Sequence, residues 1–596
     1  MAYAAPSLTV PYERVTAPLK NRIEFLLQDY RRTGVSYNLA FFCIFINAFA
    51  LVPLYHIDAS NFNCYNINHS LNHSTNRRYH KMLKGFKNAA ELDFSDNANK
   101  EKILEAFQQV DKEKGSTYPL IIGGERIQTE KKITSLSPAT KEVLGYACSC
   151  SQDLAKKAIE TANEAFKTWS VTPAEERIRC LRRLAALLDE NRYIIDAWNV
   201  EESGKNWGEA DGELCEALDF FNSYAMHMAD LDKGLELVPT DEYTKCIYIP
   251  IGVGVAVPPW NFPLSLLGGM VAAAVVTGNT IVCKPSSDTP IVAYKFVELC
   301  EKAGFPAGVV NYIPGSGSDI GDYIVEHPLT RFVNFTGSKE VGCRINEHAA
   351  KISEGQKWIK HVVAEMGGKN AIIVDSSADI KKAAEGIASS AFTFQGQKCS
   401  ACSRAIVMAD KYDELVDEVI KCAKALKEKQ GSGRDNMAMG PVINAAAYKR
   451  ITGYIDVANE EGDIVYGGTY SDAVGYYIDP TIVTNVTRDA RIANEEIFGP
   501  VLAVIKVNSF DEALDIANQT EYGLTGSVYS ETRENIQKAK VQFQVGNLYF
   551  NRKSTAAVVL QHPFGGFNMS GTDAKTGTRD YLTNFLNLKS VTEDLQ

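Results

Sequence analysis

Residues 252–286, GVGVAVPPWNFPLSLLGGMVAAAVVTGNTIVCKPS, contain two short apolar runs on either side of a longer apolar stretch. The runs Gly252–Val257 and Thr280–Lys284 predict strands, and Leu264–Val276 predicts the helix that joins them. Strands that alternate with helices are typical of a parallel sheet covered by helices on both faces. In such sheets, ligands bind beyond the carboxyl ends of the strands.

The same alternation extends in both directions and predicts an α/β fold. A second series of mixed strands and helices follows from Ala371 to Asn551. Further strands are predicted at Val309–Ile313, Phe332–Phe335 and His361–Glu365, helices at Pro290–Ala303, Ser318–Glu326 and Ser338–Ala350, and, before this series, helices at Lys100–Lys114, Leu154–Trp169 and Pro173–Asn191 and a hairpin with a Gly-Gly turn at Tyr118–Ile127.

The composition excludes several classes of protein. A chain of 596 residues is too long for one hydrophobic core. Its net charge of -11 argues against nucleic acid as the main partner. The 13 cysteines have no regular spacing, so neither a disulfide framework nor a metal site is predicted, and a reducing compartment is favoured.

The N-terminal region differs from the rest of the chain. Leu39–Tyr55 is a nearly uncharged apolar run, close to the lower length limit for a membrane-spanning helix. The stretch after it is rich in Asn and His and shows little periodicity. We predict that residues 1–85 form an atypical extension, poorly ordered or foreign to the working protein, with a membrane anchor as the alternative.

Polar residues follow three of the predicted strands. Prolines on both sides restrict the backbone around Asn261, whose amide is a candidate donor to an oxyanion, although an Asn turn is the commoner arrangement beside proline. Lys284 ends the next strand and is a candidate donor to a ribose. Glu365 ends a later strand, where Gly367 and Gly368 leave room for a ligand beside a carboxylate. A solvated glutamate is the alternative.

Two glycine-rich segments are candidates for binding a dinucleotide. Residues 315–321, GSGSDIG, almost fit the dinucleotide fingerprint, but their last glycine comes one residue late, and a tight turn is at least as good an interpretation. Residues 335–342, FTGSKEVG, follow a strand and open a helix, so their N–H groups are placed to face a pyrophosphate. The alternative is an ordinary glycine turn with a serine cap.

Residues 394–400, FQGQKCS, present Cys399 just after Gly396. This position predicts a helix start, where free N–H groups and the helix dipole favour a thiolate, and Lys398 adds a neighbouring positive charge. A thiolate is the nucleophilic form of cysteine. The alternative is a buried structural cysteine, which is commoner for any single Cys.

Taken together and in order, these motifs resemble the aldehyde dehydrogenase superfamily over roughly residues 86–596. Around Cys399 and over residues 565–577, GGFNMSGTDAKTG, the chain looks like the 1-pyrroline-5-carboxylate dehydrogenases within it. The motifs that carry the resemblance are PWNFP at 259–263, KPS at 284–286, FTGSKEVG at 335–342, EMGG at 365–368, GQKC at 396–399 and EIFGP at 496–500.

The resemblance implies an NAD-dependent oxidation of L-glutamate γ-semialdehyde to L-glutamate in proline catabolism. Cys399 would attack the aldehyde to form a thiohemiacetal, with the Asn261 side chain and the backbone N–H of Cys399 holding the oxyanion. Loss of hydride would leave a thioester, and Glu365 would activate the water that hydrolyses it. Another semialdehyde is the alternative substrate, and a non-catalytic structural relative is the alternative of a different class.

The resemblance also implies a site for NAD. Glu496 would hold the nicotinamide ribose, with Phe498 near the ring. Ser287 stands where many NAD-preferring relatives carry Glu, so NADP is the alternative cofactor. The cofactor-binding residues implied by the matching motifs are Trp260, Lys284, Ser287, Gly337, Ser338, Gly342, Glu496 and Phe498.

The implied substrate carries a carboxylate and an ammonium. Lys398, Ser400, Gly577 and Thr578 would bind the carboxylate, and Phe585 would pack along the methylenes. The implied layout is an NAD-binding domain at 86–365 with an oligomerisation hairpin near 232–250, a catalytic domain at 366–560 and a substrate-anchor and oligomerisation tail at 561–596. We expect a homodimer or dimer-based oligomer with an intracellular location, the mitochondrial matrix in a eukaryote and the cytoplasm otherwise.

Overall fold

The computed structural model describes residues 85–235, 237–238 and 242–594. The chain divides into two units, Met1–Gly85 and Phe86–Gln596. The predicted N-terminal extension therefore lies, apart from Gly85, outside the described residues. None of the helices in the described part of the chain has the length and apolar character needed to cross a lipid bilayer.

The second unit is built from helices and strands that alternate through most of its length. The helices are α1 (Asn97–Glu113), α2 (Gln152–Trp169), α3 (Ala174–Glu190), α4 (Arg192–Ser203), α5 (Trp207–Leu231), α6 (Ser265–Val276), α7 (Pro290–Lys302), α8 (Asp322–Glu326), α9 (Lys339–Ala350), α10 (Ile380–Phe392), α11 (Tyr412–Lys427), α12 (Ala445–Glu461), α13 (Arg491–Asn494), α14 (Phe510–Asn518), α15 (Arg533–Gln542) and α16 (Arg579–Thr583). The strands are β1 (Ser116–Tyr118), β2 (Leu120–Ile122), β3 (Glu125–Ile127), β4 (Lys132–Leu136), β5 (Val143–Cys148), β6 (Tyr243–Pro250), β7 (Val253–Val257), β8 (Thr280–Cys283), β9 (Val310–Tyr312), β10 (Thr330–Thr336), β11 (His361–Glu365), β12 (Asn370–Val374), β13 (Cys402–Met408), β14 (Asp463–Tyr466), β15 (Tyr470–Ser471), β16 (Tyr477–Ile478), β17 (Thr481–Thr484), β18 (Val501–Val507), β19 (Tyr522–Gly523), β20 (Thr525–Tyr529), β21 (Asn547–Phe550), β22 (Phe567–Asn568) and β23 (Leu586–Glu593).

The first large sheet has seven strands in the order β11-β10-β7-β8-β9-β2-β3. The five strands from β11 to β9 are parallel, and β2 and β3 form the antiparallel edge as the predicted Gly-Gly hairpin. Strand β7 is almost wholly buried and the helix α6 that follows it is buried nearly all round. The α/β prediction is confirmed, and the strands predicted in this region lie within two residues of the observed ones.

A second sheet of seven strands follows, in the order β14-β17-β18-β13-β12-β20-β21. Its strands are parallel except for β14 at one edge. Strand β12 is buried along its whole length. The Cys399 segment lies between helix α10 and strand β13, and Asn261, just beyond strand β7 of the first sheet, donates to it at Gln397.

The segment predicted as a hairpin near 232–250 contributes one strand to a separate two-stranded sheet. Strand β6 pairs antiparallel with β23, from Tyr243 opposite Glu593 to Pro250 opposite Leu586. Leu235 also forms a single bridge with Cys246. The main partner of this segment is thus the C-terminal tail, a pairing that sequence-local patterns do not reveal.

Candidate active site

Three strand ends of the first sheet meet at one edge. Thr336 of β10 pairs with Glu365 of β11, and Phe335 pairs with Val257 of β7. Asn261 follows β7 by four residues and Ser338 follows β10 by two. The carboxyl ends of parallel strands therefore bring Asn261, Ser338 and Glu365 to the same face, as expected for a site in such a sheet.

The chain reaches Cys399 through a strained turn. Phe394, Gln395 and Gly396 have φ values of 50°, 56° and 67°, in the left-handed region. That region costs non-glycine residues about 1–2 kcal/mol each. A Cβ on Gly396 would lie 2.5 Å from the Gly499 carbonyl oxygen, so glycine is required there by space as well as by φ.

The prediction that Cys399 starts a helix is wrong. Residues 397–401 form a tight turn that leads directly into strand β13, which begins at Cys402. The left-handed turn reverses the chain, so the helix before it ends and a strand follows. The thiol therefore does not begin a helix of its own segment, and Lys398 donates to Thr393 Oγ1 at 3.1 Å and pairs with Glu209 at 3.6 Å.

Two asparagines hold the Cys399 turn in place. Asn261 Nδ2 donates to the Gln397 carbonyl at 2.9 Å, which brings the candidate oxyanion donor to the nucleophile segment. Asn370 Nδ2 donates to the Cys399 carbonyl at 2.7 Å and to the Ala401 carbonyl at 2.9 Å. One N–H of the Asn261 amide is used in this contact, and an amide has a second to offer a ligand.

The thiol of Cys399 is not stabilised as a thiolate. Burial raises its pKa well above the ordinary value, and the negative charges of Glu365, Glu496 and Glu216 raise it further. The predicted thiolate is therefore wrong for the chain alone. Those three carboxylates come from distant parts of the sequence, so the residues next to Cys399 gave no sign of them.

Burial raises the pKa of the Glu365 carboxyl group and leaves one of its oxygens without a partner among the described residues. Its Oε1 is buried with no hydrogen-bond partner among the described residues. Desolvation raises the pKa of Glu365 to about 8, partly opposed by the positive charge of Lys575. Although the residue as a whole is only half-buried, the carboxyl end lies out of solvent. An unpaired carboxylate with a pKa near neutrality suits general-base catalysis.

Two cavities meet at Cys399. The smaller, of about 460 Å³, and the larger, of about 830 Å³, are both lined by this residue. Glu365 faces the smaller cavity and Asn261 the larger. Both volumes fall in the range of small-molecule and cofactor sites. In the described part of the chain, no group of three or more His, Cys, Asp or Glu is placed to hold a metal ion.

The larger cavity is lined by five of the eight residues predicted to bind the cofactor. The indole of Trp260 and the ring of Phe498 meet edge to face at 5.6 Å. The five are Trp260, Gly337, Ser338, Glu496 and Phe498. Lys284, Ser287 and Gly342 do not line it. Gly342 instead lets helix α9 approach the sheet, since a Cβ there would lie 2.4 Å from Met366 Sδ.

The Gly367-Gly368 pair makes room for protein atoms. A Cβ on Gly367 would lie 2.3 Å from Glu496 Oε2, and one on Gly368 would lie 2.7 Å from the Cys399 carbonyl. The Gly368 N–H also donates to Glu496 Oε1 at 2.8 Å. The glycines therefore seat Glu496 and the Cys399 turn, and Gly367 also lines the larger cavity.

Part of the predicted substrate site lies apart from the smaller cavity. Lys398 and Ser400 line the smaller cavity, but Gly577, Thr578 and Phe585 do not. The Gly577 N–H donates to Tyr224 Oη, the Thr578 hydroxyl caps helix α16, and Phe585 is fully buried against Phe332. The structure places the loop Lys553–Val559 and Phe564 there instead.

Sequence reasoning missed the acidic side of the smaller cavity. Glu209, Glu213 and Glu216 line it from helix α5. Their spacing of four and then three residues puts them on one helical face. This spacing is the sequence pattern that indicates an acidic face on helix α5. Burial raises the pKa of Glu216 to about 7.

The profile of the aldehyde dehydrogenase family matches residues 126–591. With the relatives below, this match shows that the chain belongs to the aldehyde dehydrogenase family. The family prediction is therefore confirmed.

Similar proteins share both the sequence and the fold. The 1-pyrroline-5-carboxylate dehydrogenase of Geobacillus thermodenitrificans (strain NG80-2) is 50% identical over 514 residues, which is 86% of this chain and 100% of that protein. A crystal structure of 1-pyrroline-5-carboxylate dehydrogenase from Thermus with bound NAD is 46% identical, with a TM-score of 0.84 over 85% of this chain and 99% of that one. A crystal structure of betaine aldehyde dehydrogenase from Staphylococcus aureus, in complex with NAD+, is 30% identical. Its TM-score is 0.76 over 82% of this chain and 96% of that one.

Proposed function

We propose that this enzyme oxidises L-glutamate γ-semialdehyde, the open form of 1-pyrroline-5-carboxylate, to L-glutamate with NAD, as a step of proline catabolism. The observation that carries the proposal is the position of Cys399 at the junction of two cavities. One cavity suits a dinucleotide and the other suits a short chain with a charged end. The relatives named for this activity, at 50% and 46% identity, support the choice of substrate.

In the first step, the sulfur of Cys399 attacks the aldehyde carbon to give a thiohemiacetal. Asn261 and the backbone N–H of Cys399 donate to the oxygen as it becomes negative, and such fixed donors stabilise the transition state. The thiol of Cys399 must lose its proton for this attack. That loss is costly because burial and the nearby carboxylates raise the pKa of Cys399, and the proton passes to solvent water through the cavity that Cys399 lines.

The residues of the larger cavity fit NAD. Glu496 offers a buried carboxylate for ribose hydroxyls, Ser338 stands at the start of helix α9 for the phosphates, and Trp260 and Phe498 supply aromatic faces. Bound NAD supplies the hydride acceptor that converts the thiohemiacetal to a thioester. Glu365 then takes a proton from the water that releases the acid.

Lys284 is the candidate for the adenosine ribose at the end of strand β8. Its side chain is buried, no hydrogen bond within the described residues uses its Nζ, and burial lowers its pKa to about 8. A buried amine without a partner suits a ligand hydroxyl. Ser287 neither accepts strongly from a 2′-hydroxyl nor repels a 2′-phosphate, so we propose NAD with NADP as the alternative.

The smaller cavity would hold the charged end of the substrate. The Ser400 hydroxyl and the backbone N–H groups of Ala556 and Ala557 make no hydrogen bonds within the described part of the chain, so they are available to a carboxylate. Lys398 adds a positive charge. Phe564 lines the same cavity and would pack against the substrate's methylenes, the role predicted for Phe585. The Glu216 carboxylate would face the substrate's ammonium.

The proposal extends to assembly and location. The exposed β6–β23 sheet, with Tyr243 and Leu588 about half exposed, is the surface on which we propose dimer formation. We also propose that residues 86–365 form the NAD-binding domain, that residues 366–560 form the catalytic domain, and that the enzyme is intracellular. The described cysteines are all unpaired, which accords with a reducing compartment.

Substrate discrimination tests the proposal. Glutamate γ-semialdehyde should exceed butanal in kcat/KM by roughly tens- to hundreds-fold, because each carboxylate donor left unpaired costs about 1–3 kcal/mol. Ser400→Ala should reduce kcat/KM for the semialdehyde severalfold and leave butanal nearly unchanged. Steady-state NADH formation with both aldehydes measures this.

Ser403→Ala is a matched control, since Ser403 lies on strand β13 three residues on and donates to the Asn370 carbonyl outside both cavities. It should affect the two aldehydes equally. Equal kcat/KM values for semialdehyde and butanal in the wild-type enzyme would contradict the substrate assignment and leave the family unaffected.

A further inference from the structure

A buried ion pair contacts the segment from Asn261 to Ser265. Lys205 and Glu213 contact each other through Nζ and Oε2, and their side chains are 1% and 0% exposed. Asn199 Nδ2 also donates to Glu213 Oε2 at 2.7 Å. Neither residue touches the reacting atoms in the mechanism proposed above, so their presence needs another explanation.

Lys205 contacts both halves of the site. Its Nζ donates to the Asn261 carbonyl at 2.5 Å. The same ammonium lies 4.5 Å from the ring centre of Phe262 and 4.7 Å from that of Phe394. Phe262 follows Asn261, and Phe394 begins the left-handed turn before Cys399. One cation therefore links the segment that presents the oxyanion donor to the segment that presents the nucleophile.

Glu213 fixes the other end of the Asn261 segment. Its Oε1 accepts from the N–H groups of Leu264 at 2.7 Å and Ser265 at 3.0 Å. Helix α6 starts there, and Leu264 offers no capping side chain. Free N–H groups at a helix start need acceptors, and Glu213 supplies them from helix α5. The segment from Asn261 to Ser265 is thus held at both ends by one ion pair.

Stability alone does not account for this arrangement. Burying two charges costs about as much as their attraction returns, and apolar replacements of such pairs are often neutral or stabilising. Apart from the bond from Asn199, the hydrogen bonds described for the pair either join Lys205 to Glu213 or go to the segment from Asn261 to Ser265. Both Glu213 oxygens are occupied, so Glu213 has no free acceptor for the substrate's ammonium.

We propose that Lys205 and Glu213 are positioning residues that aim the Asn261 amide at the oxyanion formed on Cys399. This inference rests on the proposed role of Asn261. The Asn261 side chain has one N–H committed to the Gln397 carbonyl, so a small rotation of its backbone would misdirect the second. The Lys205 bond to the Asn261 carbonyl prevents that rotation.

A double-mutant cycle tests the inference. Lys205→Met should slow the burst of NADH formation by roughly 10- to 100-fold. This effect should not exceed the slowing caused by removal of an oxyanion donor. Asn261→Ala should slow it by roughly 100- to 1,000-fold. If Lys205 acts through Asn261, the double variant should be no slower than Asn261→Ala alone, because coupled sites are not additive. The slowing by Lys205→Met should be the same for glutamate γ-semialdehyde and butanal, with the affinity for NAD unchanged.

Asp211→Asn is the matched control. Asp211 lies two residues before Glu213 on helix α5 and forms a buried ion pair with Arg192, at 2.5 Å and 2.8 Å, without contacting the Asn261 loop. It should lower the melting temperature and leave the burst rate unchanged. Should Lys205→Met not fold, Glu213→Gln takes its place in the cycle, since it keeps the acceptor for Leu264 and Ser265.

The outcomes separate this inference from the proposed function. A double variant slower by the product of the two single effects would contradict the positioning role and leave Asn261 as the donor. A Lys205→Met enzyme with a normal burst would also contradict it. If Asn261→Ala itself kept the wild-type burst rate, the proposed role of Asn261 would fail, and this inference with it.

Discussion

Replacing Cys399 with alanine should reduce kcat by roughly 10⁴-fold or more while the enzyme still binds NAD. The reason is covalent: without the sulfur there is no thiohemiacetal from which hydride can leave. NAD affinity should be unchanged, because its contacts come from residues on the larger cavity such as Trp260 and Glu496. Calorimetry for NAD and NADH formation for turnover measure the two effects.

Cys402→Ala is the control for this variant. Cys402 is buried at the start of strand β13 and lines neither cavity. Its loss should affect stability through packing and leave the chemistry intact. An inactive Cys402→Ala enzyme beside an active Cys399→Ala enzyme would show that the nucleophile has been misassigned.

Glu365→Gln should retain a burst of about one NADH per active site and lose steady-state turnover by roughly 10²- to 10⁴-fold, the usual contribution of a general base. The burst survives because removing the Glu365 charge removes one of the causes of the raised pKa of Cys399. Hydrolysis of the thioester stalls because glutamine takes no proton from water. Stopped-flow NADH absorbance resolves the two phases.

The pH dependence provides a second measure of the same residue. A general base acts when deprotonated, and burial raises the pKa of Glu365 to about 8. Hydrolysis of the thioester should therefore become faster with pH up to about 8 and level off above it, and the stalled Glu365→Gln enzyme should lack this rise. Loss of the burst itself in Glu365→Gln would show that Glu365 is also indispensable for activating the thiol.

The sequence allowed the parts of the site that depend on local order to be predicted. The predicted strand ends at Val257, Phe335 and Glu365 follow from short apolar runs and lie within one residue of the observed ends, and the motifs after them occur in the order of the aldehyde dehydrogenases. Asn261 and Cys399 lie 138 positions apart in the sequence, and the structure brings the Asn261 amide into contact with the Cys399 turn. Local runs and motifs were sufficient because parallel strands expose their carboxyl ends on one edge.

The errors arose where contacts are non-local. Phe585 was assigned to the substrate from tail motifs, but it lies in the core just before strand β23, which pairs with strand β6. The thiolate at Cys399 was predicted from its neighbours, but carboxylates from three other segments raise its pKa. The Lys205–Glu213 pair joins helix α5, and the residues just before it, to the Asn261–Ser265 segment, and no local pattern signals such a contact.

The most direct test of the proposed reaction is the product formed from 1-pyrroline-5-carboxylate. The enzyme is incubated with NAD and this substrate, NADH is measured by absorbance, and L-glutamate is measured by chromatography. We expect glutamate and NADH in equal amounts, with neither formed by Cys399→Ala. No NADH from this substrate in an enzyme that oxidises other aldehydes, or NADH without glutamate, would contradict the proposed function.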